Sequence, residues 1–227
     1  MLNSKMDNKN IGLLKNLFWL RNELDVYCLI AVNAESINKK GAGKSFWGLL
    51  QGSCLKLIAL SICKIFECEK QNKQGRVKYE LNSIDGVLRY LVNEKPSASD
   101  SSCVCDFICR YGHSPNEDEL LSGLSSTVAG FKKKYENELK RFKTYRDKDV
   151  AHSEFKVAHS KLESNLDLPS YDVMERLFDF GADFYKLVSR AFISVVPCNL
   201  NSDRKVKVGL KRVLHELGLT DIKTEME

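Results

Sequence analysis

Apolar residues recur along most of this chain at steps of three and four, the period of a helix that buries one face. Leu13, Leu17, Leu20, Leu24, Tyr27, Ala31 and Ala34 form the first stripe and predict a long helix that runs to a break at Gly41-Ala42-Gly43. Ser45 can cap the next helix. Its apolar positions (Phe46, Trp47, Leu49, Leu50, Leu55, Leu57, Ile58, Leu60, Ile62, Ile65, Phe66) wrap nearly all round, which places it in the middle of a bundle. A polar link, Glu69 to Lys78, leads to a shorter helix carrying Ile84, Val87, Leu88 and Leu91. That helix stops before Pro96, because a proline pushes the residue ahead of it out of helical geometry.

Residues Lys95 to His113 are rich in Ser and Cys and are expected to form a loop. Ser114-Pro115-Asn116-Glu117 is a helix start: Ser114 as cap, Pro115 where its missing N–H costs nothing, Glu117 closing a capping box. The stripe that follows is Leu121, Leu124, Val128, Phe131, Tyr135, Leu139 and Phe142, and the same spacing continues to Tyr145, Asp149 and His152. A face that has been apolar therefore turns polar, which is costly against a core and predicts a cleft or a partner there. Pro169-Ser170 opens the last main helix, with Tyr171, Met174, Phe178, Gly181, Phe184, Val188, Ala191 and Val195 on its core face and Pro197 at its end. No stretch alternates like a strand. The expected fold is all-α, an up-and-down helical bundle of about four or five main helices, with one domain over 1–197 and a basic C-terminal tail, 198–227, holding a short helix.

Composition changes this picture little. At 227 residues, 43% hydrophobic and 29% charged, the chain can bury one good core and is not compositionally disordered. A net charge of +5 permits a nucleic acid or phosphate partner without demanding one. The stretch from Phe46 to Phe66 is interrupted by Gln51, Lys56 and Lys64, so it reads as a core helix rather than a membrane span. Met1 to Lys5 carry no export signal, and the eight cysteines are expected to be reduced thiols of a cytoplasmic protein.

Three stretches carry candidate chemistry. Asn38-Lys39-Lys40-Gly41-Ala42-Gly43-Lys44-Ser45 has the ending of a phosphate-binding P-loop. It lacks the first glycine and follows a helix pattern instead of a strand, so it reads as a glycine break. Cys103, Cys105, Cys109 and His113 offer zinc-type ligands, but at no usual spacing and from one short loop; no metal or other cofactor is expected. The third stretch, Lys143 to Glu154, holds Arg146, Asp147, Lys148, Asp149 and His152. Arg146 keeps its charge and presents a planar fork of donors suited to phosphate. His152 can accept or donate a proton near neutrality. Cleavage of RNA by its own 2′-hydroxyl needs those two things and no metal. By composition alone, a charge run at a helix end is more often a solvated face. On a straight helix, six steps also put Arg146 roughly 120° around from His152. The two can meet only across a helix break or through a second subunit.

The segment Arg146-Asp147-Lys148-Asp149-Val150-Ala151-His152-Ser153 resembles the signature of HEPN-domain proteins: arginine, a polar residue, a short gap, then histidine. It is most similar to the abortive-infection branch. The Ser45-Phe46-Trp47 opening of the apolar helix and the late helix starting at Tyr171-Asp172 look similar to that branch as well, so the likeness covers about residues 10–196. The resemblance implies a homodimer with two motif copies facing each other and a metal-independent endoribonuclease. Arg146 would neutralise the scissile phosphate, His152 would act as acid or base, and Asp147 would orient one of them. Position adds Lys148 as a second phosphate contact and Tyr145 as a ring on which a base can stack. Some HEPN toxins carry, two residues past the histidine, a tyrosine that a partner enzyme modifies; Glu154 stands there in this chain.

The expected function is a cytoplasmic ribonuclease of toxin or anti-phage type, with RNA as substrate, an antitoxin or other protein as a possible partner, and no membrane contact. Two alternatives from other classes stand beside it. One is a catalytically inactive HEPN-like module that binds RNA, nucleotide or protein. The other is a DNA-binding regulator that uses the tail cations Arg204, Lys205, Lys207, Lys211 and Arg212.

Overall fold

Residues 2–41, 43–68, 81–112, 119–147, 168–200 and 204–220 are described by a computed structural model. Among them are α1 (Leu2–Val32), α2 (Ala34–Lys40), α3 (Lys44–Phe66), α4 (Ile84–Glu94), α5 (Ser101–Tyr111), α6 (Leu120–Lys134), α7 (Glu136–Tyr145), α8 (Tyr171–Val188), a π-helical turn (Ser189–Ile193) and α9 (Lys205–Glu216). No strand occurs among the described residues. The protein is an all-α bundle, as expected.

α1 is the central helix. Leu13, Leu17, Leu20 and Leu24 are fully buried, and α1 packs along α3 and α8. At Gly181 of α8 an added Cβ would come within 2.9 Å of the end of the Leu17 side chain, so a larger residue there would force Leu17 to shift. The first stripe does not run unbroken to Gly41. Asn33 donates its side-chain amide to the Leu29 carbonyl, 2.7 Å away, and the helix divides into α1 and α2 there. Beyond Leu24 the buried face rotates, leaving Ala31 exposed while Leu29, Ile30 and Ile37 join Trp47, Leu214 and Leu219 in a second, smaller core. α9 closes this second core against α1, and Arg204 pairs with the buried Asp25 of α1.

α3 departs from all-round burial. Ile58, Ile62, Ile65 and Phe66 are buried, but Phe46 and Leu49 near its start are 59% and 71% exposed. By length and composition α3 could cross a membrane; in the structure it is the helix against which α1 and α7 pack. It starts at Lys44 after Gly41 and Gly43, both in left-handed geometry, so Ser45 lies inside the helix and does not cap it. α4 matches its prediction: Ser83 accepts a hydrogen bond from the Gly86 N–H, and the helix ends at Glu94.

The expected loop from Lys95 to His113 is in fact largely helix. Asp100 caps α5 by accepting from the Cys103 N–H, while Val104, Phe107 and Ile108 face the core. Ser and Cys composition hid an i, i+3, i+4 pattern. The long helix expected after Ser114 is interrupted at Tyr135, giving α6 and α7; residues 114–117, the expected start signal, lie outside the described residues. α8 passes into the π-helical turn at Ser189 and ends at Ser194, before Pro197, so Val195 is exposed and not part of the core face.

Between α1 and α3 lies a buried carboxylate. Glu23 accepts a hydrogen bond from Ser61, 3.1 Å away, and burial pushes its carboxyl up to about 7, against the pull of that bond and of Lys64. In the unfolded chain a glutamate titrates near 4.3. Stability from this group is thus full below about pH 4.3 and is lost as pH rises through 7. Glu23→Gln should therefore raise the melting temperature more at pH 8 than at pH 5; equal shifts at the two pH values would contradict this.

Candidate active site

α7 has Glu136 and Glu138 in its first turn and Lys143 in its last, charges that suit the helix dipole. Phe142 is fully buried, and Leu139 and Tyr145 pack against the main core, which pins the helix against α3. The chain then continues through Arg146 and Asp147 as a π-helical turn, a widening often found at functional positions.

This packing brings the end of α7 to the last turns of α3. Arg146 donates from Nε to Asp147 Oδ1 at 2.8 Å, and a second guanidinium nitrogen lies 2.8 Å from the same oxygen. Its remaining arm points to Glu67, 3.9 Å away. Burial works against the charge, but the hydrogen bond to Asp147, then Cys63 and the carboxylates of Asp147 and Glu67, together hold the guanidinium above its ordinary value. Of five N–H donors, Asp147 engages two on one edge; toward the other, among the described residues, Glu67 lies 3.9 Å away, beyond hydrogen-bond length. The side chain is 23% exposed, so a phosphate can reach it.

Beside it, burial pushes the Cys63 thiol up to about 11 despite Arg146, so Cys63 stays protonated and is no nucleophile. Neither Cys63 nor Glu67 stood out in the sequence. Cys63 lies in the last turn of the apolar helix and Glu67 just past its end, and only the packing of α7 on α3 brings them to Arg146.

Of the five site residues expected from sequence, Arg146 and Asp147 are joined, and Tyr145 lies next to them, half-buried against the main core. Lys148 and His152 lie outside the described residues.

The structure describes part of each of the other candidate stretches. Cys103, Cys105 and Cys109 lie on α5, where Cys103 and Cys105 are roughly 200° apart and face different sides; His113 lies outside the described residues. Among the described residues no group of His, Cys, Asp and Glu is placed to hold a metal ion. The glycine break at Gly41 and Gly43 follows helix α2 and not a strand. In the tail, Arg204 is tied to Asp25, and burial followed by the Arg204 charge lowers the Lys207 ammonium below its usual range. Two of the five tail cations are thus turned toward the bundle. Cutting at Pro197 would also uncover Leu29, Ile30, Ile37 and Trp47, so loss of binding on truncation would not identify a DNA contact.

Among the described residues the chain is thus an all-helical bundle with an Arg-Asp pair at the end of α7, packed on the end of α3. The family model described as AbiU2, in the HEPN group, matches residues 4–205, and the chain belongs to that family. No curated protein and no solved structure matches it.

Proposed function

We propose that this protein is a metal-independent endoribonuclease of toxin or anti-phage type, working in the cytoplasm as a homodimer. The observation that carries the proposal is the Arg146 guanidinium, oriented by two bonds to Asp147 and 23% exposed, in a chain of the AbiU2 family. The reaction is transesterification. The 2′-oxygen of the RNA attacks the adjacent phosphorus, the bond to the 5′-oxygen breaks, and a 2′,3′-cyclic phosphate remains. One proton leaves the 2′-hydroxyl and one is delivered to the departing 5′-oxygen; His152 performs one of these transfers. Arg146 neutralises the charge that builds on the phosphoryl oxygens. Lys148 adds a second cation, and Tyr145 offers the exposed part of its ring to a base. In a dimer the partner's motif can supply the groups that a single straight helix would hold apart.

Purified protein incubated with RNA in excess chelator should produce fragments ending in 2′,3′-cyclic phosphate and 5′-hydroxyl. Cleavage abolished by chelator, or fragments carrying 5′-phosphate, would rule this mechanism out.

A second reading is favoured by one observation: Arg146 already has carboxylates on both sides, Asp147 and Glu67, and can serve as a tie between α7 and α3. In that case the domain is a catalytically inactive module that binds RNA, nucleotide or protein, including an antitoxin. Arg146 variants would then lose stability or partner binding while no form cuts RNA.

A further inference from the structure

A second cluster of charge and aromatic surface lies along the seam between α5 and α8, away from Arg146. Two clefts open there. One, of about 370 Å³, is lined by the half-buried Tyr111, by Phe131 and Tyr135, which are each only 7% exposed, and by Lys134, Arg176 and Asp179. The other, of about 300 Å³, is lined by Asp106, Asp183, Lys186, Arg190 and the buried Phe107. Arg110 lines both, so they form one interrupted groove. Along α8 and the π-helical turn that follows it, the groove-lining residues Arg176, Asp179, Asp183, Lys186 and Arg190 follow helical spacing. From the first to the last the axial rise is roughly 21 Å, room for a short run of nucleotides and more than one needs.

The charges in the groove are not balanced. Asp183 is satisfied within the protein by Arg110 at 2.6 Å, the Tyr111 hydroxyl at 2.9 Å and Lys186 at 3.3 Å. Lys134, Arg176 and Arg190 make no ion pair among the described residues, and Lys134 sits over the Tyr135 ring at 5.6 Å. Asp179 in the larger cleft also has no hydrogen bond among the described residues, leaving an acceptor for an amino group. Cations outside any ion pair among the described residues suit the phosphates of a strand, while the half-buried Tyr111 ring and the carboxylates of Asp106 and Asp179 offer a base one partial stacking surface and acceptors for its amino group. A single strand can turn a base onto such a ring, whereas a duplex keeps its bases stacked inside. The groove and the Arg146 site meet at the last turn of α3: Phe66 stacks on Phe131 of the cleft wall, and Glu67, the next residue, faces Arg146.

We propose that the α5–α8 groove holds a single-stranded RNA segment flanking the position cleaved at Arg146, with Lys134, Arg176 and Arg190 on its phosphates. The identity of the ligand as substrate rests on the ribonuclease reading. A free nucleotide offers the same chemistry in one unit, and the test separates the two.

The full chain carrying His152→Ala, which leaves RNA intact, is titrated against a labelled single-stranded oligoribonucleotide by fluorescence anisotropy at several salt concentrations. The same measurement is made with Lys134→Gln, Arg176→Gln and Arg190→Gln added. None of the three side chains makes an ion pair among the described residues, Lys134 giving up only its contact with the Tyr135 ring, and unchanged melting confirms a folded variant. The expected result is affinity lower by about tenfold or more and a salt slope reduced by about 2, from three lost single-strand phosphate contacts. Unchanged affinity and slope overturn the proposal, as does absence of binding by the parent protein. Displacement of the oligonucleotide by equimolar adenosine monophosphate assigns the cleft to a free nucleotide, and displacement by polyglutamate assigns it to an acidic protein; either overturns it too. If the variant loses binding as expected but the wild type cuts no RNA, the groove stands and the ribonuclease reading fails. If the wild type cuts RNA while the variant binds normally, the reverse holds.

Discussion

Arg146→Ala is expected to reduce RNA cleavage by about 10²–10³-fold, the usual effect of removing one donor from a preorganised anion site. The size of the effect distinguishes its two possible roles. As a tie between α7 and α3, Arg146 forms partly exposed ion pairs, with Asp147 50% and Glu67 34% exposed. Such pairs contribute about 0–1 kcal/mol, which would move the melting point by only a few degrees. As a phosphate contact it contributes to the transition state about 3–4 kcal/mol. A large fall in kcat with nearly unchanged melting therefore identifies the catalytic role, and the opposite pattern identifies the tie. Arg146→Lys should recover little, because a single ammonium cannot both hold Asp147 along one edge and present a second edge to phosphate. Asp147→Asn keeps the arginine but weakens its orientation, so its effect should be smaller and fall on kcat more than on binding.

The largest expected loss of stability is at Arg21. This side chain is only 7% exposed and lies between Asp25 and Glu175, with hydrogen bonds of 2.8 and 2.7 Å, and stacks over Phe178. Burial alone would weaken its charge, but Glu175 and then Asp25 hold it well above the ordinary range. Glu175 in turn receives hydrogen bonds from Arg21 and Tyr171, which outweigh burial and lower its carboxyl. Arg21→Ala leaves Glu175 with Tyr171 and Asp25 with Arg204, so neither carboxylate is fully orphaned. The loss should sit at the low end for a broken buried pair, about 3 kcal/mol, or a fall in Tm on the order of 10 °C. Because the folded carboxyl of Glu175 is depressed, the stability it brings is present above its unfolded value near 4.3 and is lost as pH falls through the folded one. The gap between wild type and Arg21→Ala should therefore narrow in acid. A gap that stays constant from pH 7 to pH 3 would contradict the ion-pair account.

The helical class and the main core were legible from spacing alone. Leu13, Leu17, Leu20 and Leu24, the stripe from Leu124 to Phe142 except the half-buried Leu139, and the face from Met174 to Ala191 are buried as their period requires. Helix breaks were not legible where no Gly or Pro marks them. At Asn33 a side-chain amide competes for a carbonyl of the preceding turn, and at Tyr135 the local sequence is fully helix-compatible. α5 escaped notice because a short apolar pattern was set among Ser and Cys residues. The rotation of the buried face of α1 beyond Leu24 depends on α9, which lies about 180 residues further along, a contact that no local pattern encodes.

For the proposed site, the sequence offers the residues and the packing shows the surroundings of those that are described. Arg146 and Asp147 could be named because an arginine followed by an acid, with a histidine beyond, resembles the HEPN signature. Glu67 and Cys63 could not be, since they come to Arg146 only through the crossing of α7 and α3. The α5–α8 groove was invisible for the same reason: its cations are spread over three helices and appear in sequence as ordinary surface charge.

The most direct test of the central claim is RNA cleavage by wild type and His152→Ala, side by side in excess chelator. Wild-type protein should cut the RNA, and the variant should be slower by about 10²–10⁴-fold. Equal cleavage by the two proteins, or loss of all cleavage on adding chelator, would contradict the account.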